Sequence, residues 1–414
     1  MKILFIHNNF PGQFKFLAPY LHSQGHQIES LYYANNIHTA TQYAQNNPTL
    51  KFKQHAWQAI RQNPPQIEAN LRDFDTKLIR GYSVQHYLAK NHPKQPDLII
   101  AHVGWGEALF LKEIWPNTPL LGLFEFYYHH HGFDIGFDPE FPPKPDDYSH
   151  LLLKNINALL MLTQIDQGYC PTAFQKSAHP IEFQHKLEVI HEGIDTDQLC
   201  PRQDICLNLN NQGKTITLTR QHEVITFVNR NLEPYRGYHY FMRALPKLLR
   251  QRPNVQVIII GGDAVSYGVA APQGKTWKQI YLEEVKDQID LSRVHFIGHV
   301  PYTQFVALLQ LSQVHVYLTY PFVLSWSMLE AMSCEALVIG SDTAPVREVI
   351  EHEKNGLLVD FFDTEDLVMQ INRVFEHPDR MKALRQKARQ TIIERYDLKR
   401  ICLPRQLTMV EGMV

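Results

Sequence analysis

The chain has 414 residues, 44% hydrophobic and 20% charged. That composition excludes a disordered or fibrous chain, and at about 150 residues per domain the length fits two or three domains. Forty Lys and Arg stand against 42 Asp and Glu, for a net charge of −2, which excludes a protein whose main task is wrapping nucleic acid, because phosphate neutralisation needs a basic excess. Five widely spread cysteines, with no CxxC pair, imply a reducing compartment and neither a disulfide framework nor a zinc site. The N-terminus has too few apolar residues for a signal-peptide core, and no apolar run approaches the 18 or so residues of a spanning helix. The expectation is a cytoplasmic protein without a transmembrane segment; peripheral contact at the inner face of the membrane is left open.

Residues 2–7 (KILFIH) are a short continuous apolar run, the pattern of a strand covered on both faces. Over 14–24, Phe14, Leu17, Ala18 and Leu21 recur at helical spacing, and Gly25 ends the helix. Residues 27–33, 97–102 and 119–124 read as further strands, and this alternation implies a parallel, doubly wound sheet. Residues 187–201 read as a strand, a loop and a proline. The stretch 202–223, rich in Asn and Gln, reads as an interdomain linker carrying a hairpin at about 203–222. The pattern then restarts, with strands over 224–229, 255–260, 294–297, 314–318 and 336–339. Helices are expected over 241–250, around 328–332 and over 380–396. The architecture expected is α/β, two Rossmann-like halves with a cleft between them.

Loops at the carboxyl ends of such strands are where ligands bind. The first is 7–14 (HNNFPGQF), with Phe10, Gly12 and Gln13; by itself a Pro-Gly pair is only a turn. Residues 102–107 (HVGWGE) follow a strand and bring His102 and Trp105 to the same edge, unless this is simply a tight turn packed by Trp105. Residues 124–141 (FEFYYHHHGFDIGFDPEF) interleave aromatics with acids, as carbohydrate sites do by stacking and by hydrogen bonding to hydroxyls. Glu125 is the first candidate there, His129, His130 or His131 the second, and Asp134 lies in the same segment. Adjacent histidine side chains diverge and no carboxylate spacing completes a site, so no metal is expected. Asp73-Phe74-Asp75 and Asp195-Thr196-Asp197 are read as loop or cap residues.

In the second half, 229–237 (NRNLEPYRG) follows a strand with Arg230, a Pro turn, Arg236 and a Gly. Guanidinium forks at a strand end fit a diphosphate clamp; taken alone, the stretch also reads as a solvated turn with ion pairs. Residues 320–359 give a strand, a turn and a helix whose first amides are unpaired and suit a phosphate or sugar oxygen. Glu330, one turn inside, is placed to accept from a ribose diol. The competing explanation is a capping box, Ser327-x-x-Glu330, which needs no ligand.

This segment resembles the donor-binding signature of the family 4 glycosyltransferases, retaining enzymes of the GT-B fold, with the pattern E-x7-E. Leu329–Met332 (LEAM), 345–350 (PVREVI) and 355–359 (NGLLV) carry the match. The resemblance implies domains at 1–200 (acceptor side) and 201–385 (nucleotide-sugar binding), with 386–414 packing back on the first. It implies that Glu330 grips the nucleotide ribose and that Val323, Leu324, Ser325 and Ser327 line the donor. The first glutamate of the pattern falls at Phe322, so its sugar contact is rearranged or passes to Ser325 or backbone amides. Residues 229–237 resemble the family's GR-x4-KG element, Arg236 standing for the lysine. Residues 7–14 resemble its Gly-rich loop, Gly261-Gly262 its GxG turn, and 295–302 the element that reads the base, through Ile297 and His299. His191-Glu192-Gly193-Ile194-Asp195 resembles the NGVD strand end. Implied is transfer of a sugar from a nucleoside diphosphate donor to a glycan, lipid-linked or other acceptor, with no cofactor. Arg230, Arg236 and helix amides would stabilise the leaving diphosphate in place of a metal, with Glu125 or His129 near the reacting carbon. The alternatives are a catalytically silent nucleotide-sugar-binding subunit and a nucleotide-sugar epimerase.

Overall fold

The computed structural model describes residues 1–48, 50, 52–91, 94–211 and 214–414. They form two compact units, Met1–Gly193 with Leu398–Val414, and Ile194–Asp397.

The first unit is built on strands β1 (Lys2–Ile6), β2 (Gln27–Tyr33), β3 (Lys53–Trp57), β4 (Leu98–His102), β5 (Leu120–Leu123), β6 (Gln167–Cys170) and β7 (Leu187–Val189). All pair parallel, in the order β3-β2-β1-β4-β5-β6-β7. Strand periodicity sends alternate residues to opposite faces, and both faces are covered. Phe5 and Ile100 enter one core with Phe14 and Leu21, whereas Leu4, Ile6 and Ile99 enter the other with Met161 and Leu162. That is why these strands are apolar without alternation. The order reverses between β1 and β4, so the loops after these two strands diverge at a switch point. Gly25 follows the helix Leu17–Ser23 with φ +88°, as a C-terminal glycine should.

The second unit opens with an antiparallel hairpin, β8 (Cys206–Asn211) and β9 (Lys214–Thr219); the turn residues 212 and 213 lie outside the described residues. Leu209 and Leu218 are buried against Leu308 and Leu311, which makes the hairpin part of this unit's core. Six parallel strands follow: β10 (Val224–Asn231), β11 (Gln256–Gly262), β12 (Val294–Gly298), β13 (Val314–Tyr317), β14 (Leu337–Ser341) and β15 (Leu357–Val359). Their order, β12-β11-β10-β13-β14-β15, has its switch point between β10 and β13.

The unit boundaries differ from the expected ones. The first crossing comes at Gly193/Ile194, and the helix Pro378–Tyr396 buries Ala388 and Ile392 among Met328 and Met332 of the second unit. Residues 386–397 therefore stay with the second unit, and only 398–414 return to the first, where Leu398, Leu403, Met409 and Val410 enter the core of Phe5 and Ile100. Among the described residues, no helix is long and apolar enough to cross a membrane.

Candidate active site

The ends of β1, β4 and β5 bring His7, His102 and Glu125 together. The Asn9 amide donates to His7 Nδ1 at 3.0 Å, so the proton of the neutral ring sits on Nε2, which donates to Gln13 Oε1 at 2.8 Å. Gln13 Nε2 donates in turn to Glu125 Oε1 at 2.5 Å. On the other side the Gly104 amide approaches His102 Nδ1 at 3.3 Å, and His102 Nε2 lies 3.3 Å from Glu125 Oε2. Both histidines are buried, whereas the Glu125 side chain is 33% exposed. Burial alone would lift the Glu125 carboxyl, but His102, Gln13 and His7 outweigh it and hold it below the usual range. Burial, with His102 adding to it, pushes His7 down to about 3, so this ring is neutral. Trp105, 41% exposed, stacks on His102 with ring centroids 5.7 Å apart. Gly12 is dictated by the same packing: with φ +49°, a Cβ there would lie 2.2 Å from the His7 ring.

Three expected positions in this unit are engaged differently. Phe10 is fully buried against Phe5, Tyr43 and Phe52, so it is a core residue and cannot line an acceptor. His129 Nε2 donates to the Ala178 carbonyl at 2.6 Å, and its ring stacks on Phe133 at 4.3 Å. It thus serves the local fold instead of joining Glu125. Asp134 is buried, and its charge bears on Lys154. Of the D-x-D matches, Asp73 pairs with Lys77 and Asp75 with Arg61, while Asp195 accepts from the Asp197 and Gln198 amides.

In the second unit the helix Trp326–Ser333 is capped by Ser325, whose Oγ accepts from the Ser327 amide at 3.3 Å. The helix starts before Ser327, so the Ser327–Glu330 capping box does not form. Glu330 lies buried in the second turn and accepts from the Tyr302 hydroxyl at 2.8 Å. The Ser325 amide donates to Tyr317 Oη at 2.8 Å; Val323 is half-buried and Leu324 belongs to the core.

The two arginines have opposite fates. Arg230 projects exposed from β10. Arg236 is 4% exposed; its Nη1 donates to Thr319 Oγ1 at 2.6 Å and to Tyr317 Oη at 3.2 Å. Its guanidinium carbon lies 4.9 Å from the Tyr267 ring centroid and 5.8 Å from that of Phe322. In this conformation Arg236 is a buried cation under aromatic faces, which a free phosphate-gripping fork would not be. The Tyr267 loop is pinned by Glu233, which is fully buried and accepts from the amides of Ser266, Tyr267 and Gly268 at 3.1–3.3 Å. Phe322 fills the space beside Arg236, Tyr235 and Tyr267, so aromatic packing occupies the place expected for a carboxylate.

Gly261 is forced by the end of β10, because a Cβ would come 2.9 Å from the Asn229 carbonyl and 2.8 Å from the Leu232 side chain. His299 is exposed over Gly262 and Ile297 is half-buried at the end of β12. Sequence reasoning passed over His7, Glu233, Tyr302 and Tyr317. His7 ends an apolar strand and Glu233 lies inside the clamp motif, so both were signalled; Tyr302 and Tyr317 are ordinary helix and strand residues by pattern.

Residues 34–199 match the family described as "Glycosyl transferase family 4 group", and residues 213–391 match "Glycosyl transferases group 1". A D-inositol 3-phosphate glycosyltransferase of Corynebacterium jeikeium is 26% identical over 183 residues, 44% of this chain and 41% of that protein. An uncharacterised glycosyltransferase of Methanocaldococcus jannaschii is 26% identical over 215 residues, 51% of this chain and 50% of that one. The chain thus spans half or less of the length of these curated relatives. Among solved structures, sucrose-phosphate synthase from Thermosynechococcus elongatus superposes with a TM-score of 0.70 at 15% identity, over 100% of this chain and 99% of that one. HepE of Anabaena, in complex with UDP-glucose, superposes with a TM-score of 0.66 at 17% identity over 100% of both chains. These likenesses fix the fold class as that of the GT-B glycosyltransferases. With both family matches falling on its two sheet units, the chain belongs to the group 1, family 4 glycosyltransferases.

Proposed function

We propose that the chain transfers a sugar from a nucleoside diphosphate donor to a saccharide, lipid-linked or other acceptor, with retention at the anomeric carbon and without a divalent metal. In this reading the bond between C1 and the diphosphate oxygen breaks while the acceptor oxygen bonds C1 on the same face. The acceptor proton leaves with the departing diphosphate, and no covalent intermediate forms. Negative charge accumulates on the diphosphate, so Arg230, the N-terminal field of the helix Trp326–Ser333 and the field of buried Arg236 are assigned to stabilise it. Glu330 is assigned to the ribose hydroxyls.

The observation that supports this most is Glu330, a buried carboxylate that serves no helix cap and accepts from a tyrosine hydroxyl, the same chemistry a ribose hydroxyl offers. HepE bound UDP-glucose in its crystal, which makes UDP and UDP-glucose the first ligands to try. A thermal-shift screen of UDP, GDP, ADP and their glucose conjugates tests the reading, because a ligand at 100 times its Kd stabilises by about 2.7 kcal/mol. A stabilising conjugate should be hydrolysed slowly in water, and EDTA should leave that rate unchanged. If no nucleotide stabilises the protein, the reading is wrong; if chelation abolishes turnover and Mg²⁺ restores it, the metal-free part is wrong.

A further inference from the structure

We propose that Glu125 is the carboxylate that accepts hydrogen bonds from a sugar hydroxyl in the first unit, with His7, Gln13 and His102 as its positioning residues. This rests on the transferase reading and names the group that meets the sugar. Backbone amides approach Nδ1 of both histidines, so in each ring Nε2 is the nitrogen left to donate. The His7 proton goes to Gln13 Oε1, which fixes the Gln13 amide with its nitrogen towards Glu125; His102 Nε2 faces the other carboxylate oxygen. Among the described residues, the side chains that meet this carboxylate, Gln13 and His102, present nitrogen atoms to it. Such a surrounding selects the anion, and Glu125 is the partly exposed tip of an otherwise buried network. Gln175 Nε2 also donates to the Glu125 backbone carbonyl at 2.7 Å, which fixes the residue from below.

A carboxylate offers about four lone-pair sites; among the described residues Gln13 Nε2 fills one, and His102 Nε2 stands 3.3 Å from the other oxygen. The remainder ask for further donors, and an uncharged sugar supplies them as hydroxyls. Trp105 flanks the same His102 ring, lies 5.7 Å from the Arg80 guanidinium and is partly exposed, so its indole edge offers a sugar apolar contact beside the carboxylate. A uronate, in contrast, would bring like charge to a fixed anion. The titratable groups facing Glu125 are His102 from β4 and, through Gln13, His7 from β1.

Two readouts test this on the full chain. The first is the carboxyl ¹³C titration of glutamate-labelled protein, with Glu125→Gln identifying the resonance. Gln13→Leu removes a charge-assisted donor worth roughly 1.5–3 kcal/mol, so the Glu125 midpoint should rise by about one to two pH units. If Gln13→Leu does not fold, Gln13→Glu reads the same effect, since two adjacent carboxyls cannot both ionise freely. A midpoint that stays in place overturns the positioning role. The second readout is UDP-glucose turnover from pH 4.5 to 8. Glu125→Gln should lower kcat about a hundredfold, and the acid limb of Gln13→Leu should move with its NMR midpoint. A loss seen in hydrolysis as well as transfer puts the hydroxyl on the donor sugar; a loss in transfer alone puts it on the acceptor. Wild-type rates for Glu125→Gln in both reactions overturn the proposal. A wild-type protein that binds UDP-glucose but turns nothing over refutes the transferase reading, while the titration still judges the Glu125 network.

Discussion

Glutamine at position 330 would keep the side chain's shape and its place beside Tyr302 while removing the negative charge. Because the helix is capped by Ser325 and not through Glu330, folding should be untouched. The lost charge-assisted bond should weaken nucleotide binding by about one to two decades, read by calorimetry with UDP; equal affinities would deny Glu330 any part in binding. The two arginines separate by burial. Arg230→Ala removes an exposed cation, so the melting temperature should hold while kcat falls about 10²–10³. Arg236→Ala removes a buried donor from the hydroxyls of Tyr317 and Thr319 and empties the space beneath the aromatic cover, so it should cost about 1–3 kcal/mol of stability as well as rate. Arg236→Lys keeps the charge and should be milder than Ala at that site. Parallel unfolding and steady-state measurements on these variants decide it, and a loss of stability in Arg230→Ala alone would reverse the assignment.

At the level of elements, the loop after β1 works as a unit because Gly12 leaves room for the His7 ring. Gly12→Ala puts a methyl 2.2 Å from that ring at a φ of +49° that an L side chain rarely adopts. The variant should lose stability and also release Gln13 from Glu125. A ¹⁵N spectrum showing His7 still locked with its proton on Nε2 would contradict this. Strands such as β1, β4, β10 and β11 were legible as continuous apolar runs because both of their faces are covered. The helix Ala69–Asn91 was not, since its buried side carries Lys77, Gly81 and Ser83, which break the apolar period. Lys77 stays there through its pair with Asp73, and burial lowers its pKa. The helix Pro145–Gln164 hides for the opposite reason, with Leu152, Leu159 and Leu160 exposed and so no clear apolar stripe. In the candidate site, the motifs located the loops but not the partners. Gln13 and Glu125 meet only because crossovers lay β1, β4 and β5 side by side, and Phe322 covers Arg236 only because β10 neighbours β13. Spacing along a chain carries no record of either meeting.

Across the whole molecule, buried neutral histidines set the response to acid. Burial pushes His7 and His315 down to about 3, and His179 and His191 to about 4. In the unfolded chain each protonates below about pH 6.5. Below that pH the unfolded state binds more protons, so stability falls as pH drops from about 6.5 towards 4, by up to about 1.4 kcal/mol per pH unit for each ring. Melting temperatures at pH 7, 6, 5 and 4.5 should decline over this window, above the range where carboxylates titrate; a flat profile would mean these rings are protonated in the fold. The same four rings are shared between the units, so neither should escape the decline. The return of residues 398–414 to the first sheet also governs how the protein is made. On the ribosome, β1 to β7 emerge before the second unit, whereas Leu403, Met409 and Val410, which cover Phe5 and Ile100, emerge only after it. At about 5–20 residues per second, the 204 residues from Ile194 to Asp397 take roughly ten to forty seconds to synthesise. For that time the first sheet's face around Phe5 and Ile100 lacks the cover that Leu403, Met409 and Val410 provide, so the first unit completes its core only after the second has been synthesised.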